Sequence, residues 1–276
     1  MRLAVVLFNL GAPDQPTSVR PFLRNLFSDR AIIDLPGLLR LPLAALMAAR
    51  RTKAAQTIYG KMGGGSPLLR ETEAQARALE GALELRAKTD GSDNAVKVFI
   101  AMRYWRPLTE ETAAAVGAWG PDRIVLLPLY PQFSTTTTGS SLGAWRRAAV
   151  AQGLSAPVRA ICCYPTEGGL IEAHAARIRP CLIAAASQGR PRLLFSAHGL
   201  PMRIVERGDP YPFQVEQTAR AVVAALQRES LTSLDWTVCY QSKVSPLEWI
   251  GPSTISEIQR AGGDGRQPAD GVAIER

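Results

Sequence analysis

The sequence predicts an α/β protein with two Rossmann-like, doubly wound domains built on parallel sheets. Short apolar runs alternate with helical patterns along the chain, the alternation occurs in two series, and the series meet near residue 150. The length of 276 residues also suits two domains better than one core. We therefore expect an N-terminal domain over residues 1–150 and a C-terminal domain over residues 151–276.

The first series opens with a strand, Leu3–Asn9, whose unbroken apolar run indicates burial on both faces and ends before Gly11 and Pro13. A helix over Leu68–Ala87 is indicated by Ser66 as its N-cap and Pro67 at the first helical position. The other predicted elements of this series are helices at Val19–Phe27, Thr109–Trp119 and Ser140–Val150 and strands at Val96–Met102 and Arg123–Leu129.

The second series repeats the alternation of strands and helices. Its predicted strands are Val158–Cys162, Arg192–Ser196 and Asp235–Tyr240, and its predicted helices are Gly168–Ala186, Phe213–Arg228 and Ser253–Arg260. A further strand is due after Gly271, close to the last residue, Arg276.

Composition narrows the function classes. Apolar residues make up 46 % of the chain, the net charge is +8, and no uncharged apolar stretch approaches the roughly 20 residues of a membrane span. The N-terminus has no cleavage site for a signal peptide, so a cytoplasmic protein is expected. Basic residues are scattered, which argues against nucleic acid and leaves an anionic membrane face or an acidic small substrate. The four cysteines are expected to be buried and reduced.

His198 is the first candidate for chemistry, since ligands of open parallel sheets bind beyond the carboxyl ends of the strands. It follows the strand Arg192–Ser196 and precedes a Gly-Leu-Pro turn. A neutral imidazole can bind a metal or accept a proton, although position alone leaves a structural role equally open. The other histidine, His174, lies within a helical pattern, which favours a structural role.

Two further segments each allow two interpretations. The glycines of GGGSP, before the helix that begins near Ser66, could offer backbone N–H groups to an anion or form a turn and cap. The apolar segment from Leu35 to Arg51, interrupted by Pro36 and Pro42, could form an amphipathic lip over a flat ligand or a membrane surface, or an ordinary core helix.

Three strand ends carry polar and aromatic groups. Arg103, Tyr104 and their neighbours combine cations for carboxylates with aromatic rings for a flat ligand. The hydroxyl-rich TTTTGSS segment favours helix capping. The segment QSKVSPLEWIGP adds polar groups and an aromatic side chain after the last predicted strand.

Taken together and in order, these segments resemble the ferrochelatase family. The matching stretches are NLGAP at Asn9–Pro13, Tyr59 with GGGSP, Met102–Tyr104, YPQFS with TTTTGSS from Tyr130, LFSAHGLP around His198, and QSKVSPLEWIGP up to Pro252. The resemblance covers nearly the whole chain, and SAHGLP and the last segment are its most specific motifs.

The resemblance implies two Rossmann-like domains with a porphyrin cleft between them, and insertion of ferrous iron into protoporphyrin IX as the last step of heme synthesis. His198 would be the iron-site residue, binding the metal or taking a pyrrole proton. Porphyrin-contacting or cleft positions would be Leu10, Arg50, Arg51, Tyr59, Ser66, Arg103, Tyr104 and Trp249. Iron is then a substrate, and no cofactor is required.

The chain departs from the family pattern near its end. The family's second essential residue, a Glu in a segment resembling F-V-S-E-H-x-E-T-L, has no counterpart here, and Glu275 does not match it. We therefore expect a truncated second domain and weakened activity. Thr135 stands where the animal type of the family has a cluster cysteine, so no iron–sulfur cluster is expected.

The alternatives left open are an impaired tetrapyrrole-binding remnant and a coproporphyrin or cobalt chelatase of the same fold. A peripheral membrane contact is also left open, as is the choice between monomer and homodimer. Nucleic acid is not an expected partner.

Overall fold

The computed structural model describes residues 1–228, 234–243, 247–264, 267–268 and 273–274. The chain divides into two compact units, the first formed by residues 1–130 and 135–162 and the second by residues 131–134 and 163–276. Both contain parallel strands connected through helices, as the predicted α/β class requires.

The first unit is built on a four-stranded parallel sheet in the order β2-β1-β3-β4. Its strands are β1 Arg2–Asn9, β2 Ala95–Met102, β3 Arg123–Pro128 and β4 Val158–Ala160; its helices are α1 Val19–Phe27, α2 Gly37–Lys61, α3 Leu68–Thr89, α4 Thr109–Trp119 and α5 Ser140–Ala151. Because β4 pairs with β3, the strand predicted to open the second domain belongs to the first sheet.

Alternation along β1 explains why helices cover both faces of this sheet. Val6 and Phe8 pack in a core with residues of α4 and α5, whereas Val5 and Leu7 face the other way, towards Ala76 of α3. Successive side chains of a strand point to opposite faces, so a strand with helices on both sides must be apolar throughout.

The apolar segment after α1 forms one long helix, α2, which runs through Pro42. Its buried residues are only Ala44 and Ala48, whereas Leu38 is 91 % exposed and Leu39 62 % exposed. One side of α2 therefore packs in an apolar cluster with α1, while its first leucines are exposed, and the lip over a flat ligand or a membrane stays a prediction.

The second unit is centred on β5, which pairs in parallel with β6 on one side and with β7 and β8 on the other. Its strands are β5 Pro191–His198, β6 Asp235–Gln241, β7 Gln267–Pro268 and β8 Ala273–Ile274; its helices are α6 Gly168–Ala186, α7 Met202–Glu206, α8 Tyr211–Gln227 and α9 Thr254–Gly263. The strand expected after Gly271 is thus seen at β8, while Gly271 itself lies outside the described residues.

The two faces of β5 differ in chemistry. Leu193, Phe195 and Ala197 join the apolar core formed with α6 and α8. The opposite face meets α9: Ser196 Oγ lies 2.8 Å from Thr254 Oγ1, and Arg192 donates to Asp264 at 3.0 Å. Alternation places His198 on this second, polar face at the carboxyl end of the strand.

The cysteine prediction is only partly correct. All four cysteines are free, but Cys162 and Cys181 are exposed, Cys163 is half-buried, and only Cys239 is fully buried. Cys162 follows the short edge strand β4, whose three residues are themselves exposed, so residue type alone overestimated its burial.

None of the helices in the described ranges combines the length and the apolar character needed to cross a bilayer.

Candidate active-site residues in the two units

His198 is half-buried at the end of β5, paired with Gln241 at the end of β6. The next residue, Gly199, donates its N–H to the Gln241 carbonyl oxygen at 2.8 Å. The loop after β5 is therefore held directly against the end of β6. Within the described residues, no group of three His, Cys, Asp or Glu side chains could hold a metal ion.

The segment ending in WIGP packs on the loop that follows His198. The N–H of Ile250 donates to the carbonyl oxygen of Leu200 at 3.0 Å, and the N–H of Met202 donates to the backbone carbonyl oxygen of Glu248 at 2.9 Å. Between them, Trp249 and Pro201 form an isolated antiparallel β-bridge. The structure thus brings together two segments that the sequence could only order along the chain.

Gly199 is required by this arrangement. A Cβ atom at this position would lie 3.0 Å from the Gln241 carbonyl oxygen and 3.1 Å from the Trp249 ring. Glycine has no side chain, so it allows the Trp249 ring to pack this closely against the loop after His198.

Leu10, Tyr59 and Tyr104 meet around one apolar cluster of the first unit, together with residues of α1 and α2. Tyr104 is fully buried, and Leu10 and Tyr59 pack against the cluster. Burial raises the pKa of Tyr59, so its hydroxyl stays protonated near neutral pH and can donate a hydrogen bond.

Arg50 and Arg51 are exposed on α2, and the Arg51 guanidinium lies 5.8 Å from the centre of the Phe27 ring. This stacking orients one cation of the pair and leaves both open to solvent. Exposed guanidinium groups of this kind suit carboxylates at the edge of an apolar ligand.

Arg103 and Tyr104 are engaged by a residue that the sequence analysis did not single out. Oδ2 of Asp29 accepts hydrogen bonds from Arg103 at 2.8 Å, from the Tyr104 hydroxyl at 2.7 Å and from Ser140 at 2.5 Å. The expectation that Tyr104 contacts a porphyrin therefore needs correction: its side chain has no exposed surface, and its hydroxyl is donated to Asp29.

The electrostatics of this cluster favour the charged form of Asp29. Burial alone would raise its pKa, but the hydrogen bonds from Ser140, Ala31 and Tyr104 and the charge of Arg103 together outweigh burial, and the pKa lies below its ordinary value. For Tyr104, burial and the adjacent Asp29 carboxylate raise the pKa. Asp29 is therefore ionised and Tyr104 neutral at physiological pH.

The GGGSP loop serves as a turn and a cap. Gly63, Gly64 and Ser66 donate their N–H groups to the carbonyl oxygens of Gly60, Tyr59 and Pro13. The Ser66 hydroxyl accepts from the N–H of Leu68 at 3.2 Å, as a cap would, but α3 begins at Leu68 with Pro67 in the N-cap position, one residue later than predicted. These three N–H groups are thus already satisfied, which removes most of the basis for an anion site in this loop.

The hydroxyl-rich segment forms a π-helical turn, Thr135–Gly139, that continues into α5. The hydroxyls of Thr137, Thr138 and Ser141 are buried and have no hydrogen-bond partner within the described residues. The predicted capping role is not what the structure shows for these three, because they point into the protein interior.

Comparison with known proteins gives a consistent result. A sequence model of the family described as "Ferrochelatase" matches residues 2–274. The chain is 60 % identical over 263 residues to a ferrochelatase of Caulobacter vibrioides, covering 95 % of this chain and 73 % of that protein. It is 57 % identical over 266 residues to a ferrochelatase of Phenylobacterium zucineum, covering 96 % and 74 %, and 46 % identical over 265 residues to one from a Wolbachia of Drosophila simulans, covering 96 % and 82 %.

Proposed function

Because the chain belongs to the ferrochelatase family, we propose that it inserts ferrous iron into a porphyrin in heme synthesis. The single observation that carries this proposal is the family match over residues 2–274, which includes every motif segment quoted above. The reaction replaces two pyrrole protons by one ferrous ion, so the protein must bind the ring, admit the metal and accept two protons.

For His198 we propose the role of iron ligand or pyrrole-proton acceptor. It lies at the carboxyl end of a central parallel strand, where ligands of such sheets bind. The nitrogen lone pair of a neutral imidazole can ligate a metal ion or take up a proton near neutral pH. The loop that directly follows it packs, through Gly199, against the Trp249 ring.

For the porphyrin we propose protoporphyrin IX, with contacts from Leu10, Arg50, Arg51, Tyr59, Ser66 and Trp249. The exposed arginines of α2 suit propionate groups, while Leu10 and the aromatic residues suit the apolar ring. Arg103 and Tyr104 would then support the site indirectly, because both side chains already donate hydrogen bonds to Asp29. We also propose that no resident cofactor and no iron–sulfur cluster takes part, because Thr135 offers no thiolate.

The exposed leucines of α2 favour a peripheral membrane contact by a cytoplasmic protein. Leu38, Leu39 and Leu41 are 91 %, 62 % and 55 % exposed and lie close together near the start of the helix, as in a segment that inserts into a membrane surface. Co-sedimentation with phosphatidylglycerol vesicles tests the contact. The variant Leu38→Ser with Leu41→Ser should lose binding, and equal sedimentation of variant and unaltered protein would contradict it.

The enzymatic proposal is tested by anaerobic incubation of the purified chain with ferrous iron and protoporphyrin IX. Heme formation, followed by the change in porphyrin absorbance, is the expected result. Parallel reactions with coproporphyrin III and with cobalt decide between substrates, and the highest kcat/KM should fall to ferrous iron with protoporphyrin IX. Porphyrin binding without insertion of any metal would contradict the proposal.

A further inference from the structure

Asp29 collects donors from three separate segments of the first unit. Its Oδ2 accepts from Arg103, Tyr104 and Ser140, and its Oδ1 accepts from the N–H of Ala31 at 3.0 Å. Arg103 also donates to Ser140 at 2.7 Å, so its guanidinium spans the acid and the hydroxyl. Only 9 % of the Asp29 side chain is exposed, and 18 % of Arg103.

The acid and its donors lie on different parts of the unit. Asp29 follows α1 in the connection to α2, whereas Arg103 and Tyr104 follow β2, and Ser140 opens α5. Tyr104 also enters the apolar cluster between α1 and α2. Asp29 therefore joins the α1–α2 hairpin to the carboxyl edge of the sheet.

The energetics of such a cluster indicate a geometric role. Burying a carboxylate and a guanidinium costs desolvation that their attraction does little more than offset, and apolar replacements of similar pairs often stabilise proteins. Four donors converging on one carboxylate do, however, fix position and angle. Removing only the Asp29 charge leaves the largely buried Arg103 without its partner, so it should loosen the hairpin on the sheet and also lower the stability of the fold.

We propose that Asp29 is a positioning residue that sets the affinity for porphyrin by fixing the α1–α2 hairpin on the sheet. The inference rests on the proposed function, because α2 carries Arg50, Arg51 and Tyr59 as proposed porphyrin contacts. Asp29 acts on these residues only through α2, and it has no direct role in metal insertion.

The test compares Asp29→Asn with Asp34→Asn, a matched control in the same connection whose side chain is 42 % exposed and pairs with Arg30. Asp29→Asn should raise the porphyrin KM and the porphyrin Kd, measured by tryptophan quenching, about tenfold, while kcat and the iron KM change less than twofold. The control should match unaltered protein. An unchanged porphyrin KM in Asp29→Asn, or equal increases in both variants, would overturn the proposal.

Two further measurements keep the outcomes separate. If Asp29→Asn does not fold, Ser140→Ala removes one donor and should raise the porphyrin KM by two- to fivefold; no change would overturn the proposal. Hydrogen exchange of Gly37–Lys61 should quicken in Asp29→Asn and not in Asp34→Asn, and unaltered exchange would also count against it. Failure of the unaltered protein to insert iron would sink the proposed function instead, while exchange and porphyrin binding still test Asp29.

Discussion

Gly199→Ala should disturb the loop that directly follows His198 without changing any polar group. The new Cβ would lie 3.0 Å from the Gln241 carbonyl oxygen and 3.1 Å from the Trp249 ring, so both must move by a few tenths of an ångström. The carbonyl is backbone and cannot rotate away, and it also accepts the 2.8 Å hydrogen bond from Gly199. Overpacking of this kind costs about 1–3 kcal/mol.

The activity should fall more than the stability suggests. Misplacement of a reacting group by about 1 Å can cost ~100-fold in rate, so a shift of a few tenths of an ångström should lower kcat by roughly three- to tenfold. The assay is heme formation by the purified variant, together with its tryptophan emission, to which Trp249 contributes beside four other tryptophans.

The matched control for this substitution is Gly262→Ala, in α9, where a Cβ meets nothing within 4 Å. It should retain full kcat. If Gly199→Ala keeps the kcat and the emission of unaltered protein, the packing argument is wrong.

Three further predictions concern the framework. Gly65→Ala places a Cβ 2.1 Å from the Asp14 carbonyl oxygen and should lower the free energy of unfolding by about 3 kcal/mol. The control Gly60→Ala, where a Cβ meets nothing within 4 Å, should not lower it. Urea unfolding of both variants tests this prediction, and equal midpoints would contradict it. The pKa of Asp29 lies below its ordinary value of 3.8, so the ionised carboxylate stabilises the fold above about pH 4 and this stabilisation is lost as the pH falls. The difference in the free energy of unfolding between unaltered protein and Asp29→Asn should therefore shrink as the pH falls from about 4 to about 2. A difference that stays constant over this range would contradict the prediction. Arg192→Met removes the charged hydrogen bonds that Arg192 makes at 2.8 and 3.0 Å and should cost about 2 kcal/mol in thermal or urea unfolding; an unchanged midpoint would show that these bonds add nothing.

The sequence allowed the regular elements to be predicted where the signal is local. The predicted bounds of α1, α4 and α6 agree with the structure, because periodicity and end signals lie within each helix. Helix α2 was not predicted as one element, because Pro42 suggested a break. Pro42 is the sixth residue of the helix, which continues past it without the backbone hydrogen bond that a proline nitrogen cannot donate.

The sequence predicted which segments contribute to the candidate site but not how these segments contact one another. The segments around His198 and Trp249 could be identified, but their contact through Leu200 and Ile250 is tertiary and has no signature in spacing. Asp29 left no signal, because the side chains that donate to it lie 74, 75 and 111 positions away. A single acid in a polar connection resembles any solvated loop residue until the fold brings its partners together.

The central claim is that His198 carries the chemistry of iron insertion. The most direct measurement is heme formation by His198→Ala beside His174→Ala, a control at the chain's other histidine, whose pKa is lowered by burial and by Arg177. His198→Ala should lose insertion while protoporphyrin still quenches its tryptophan fluorescence, and His174→Ala should retain most of the activity. Insertion by His198→Ala at the rate of unaltered protein would contradict the account.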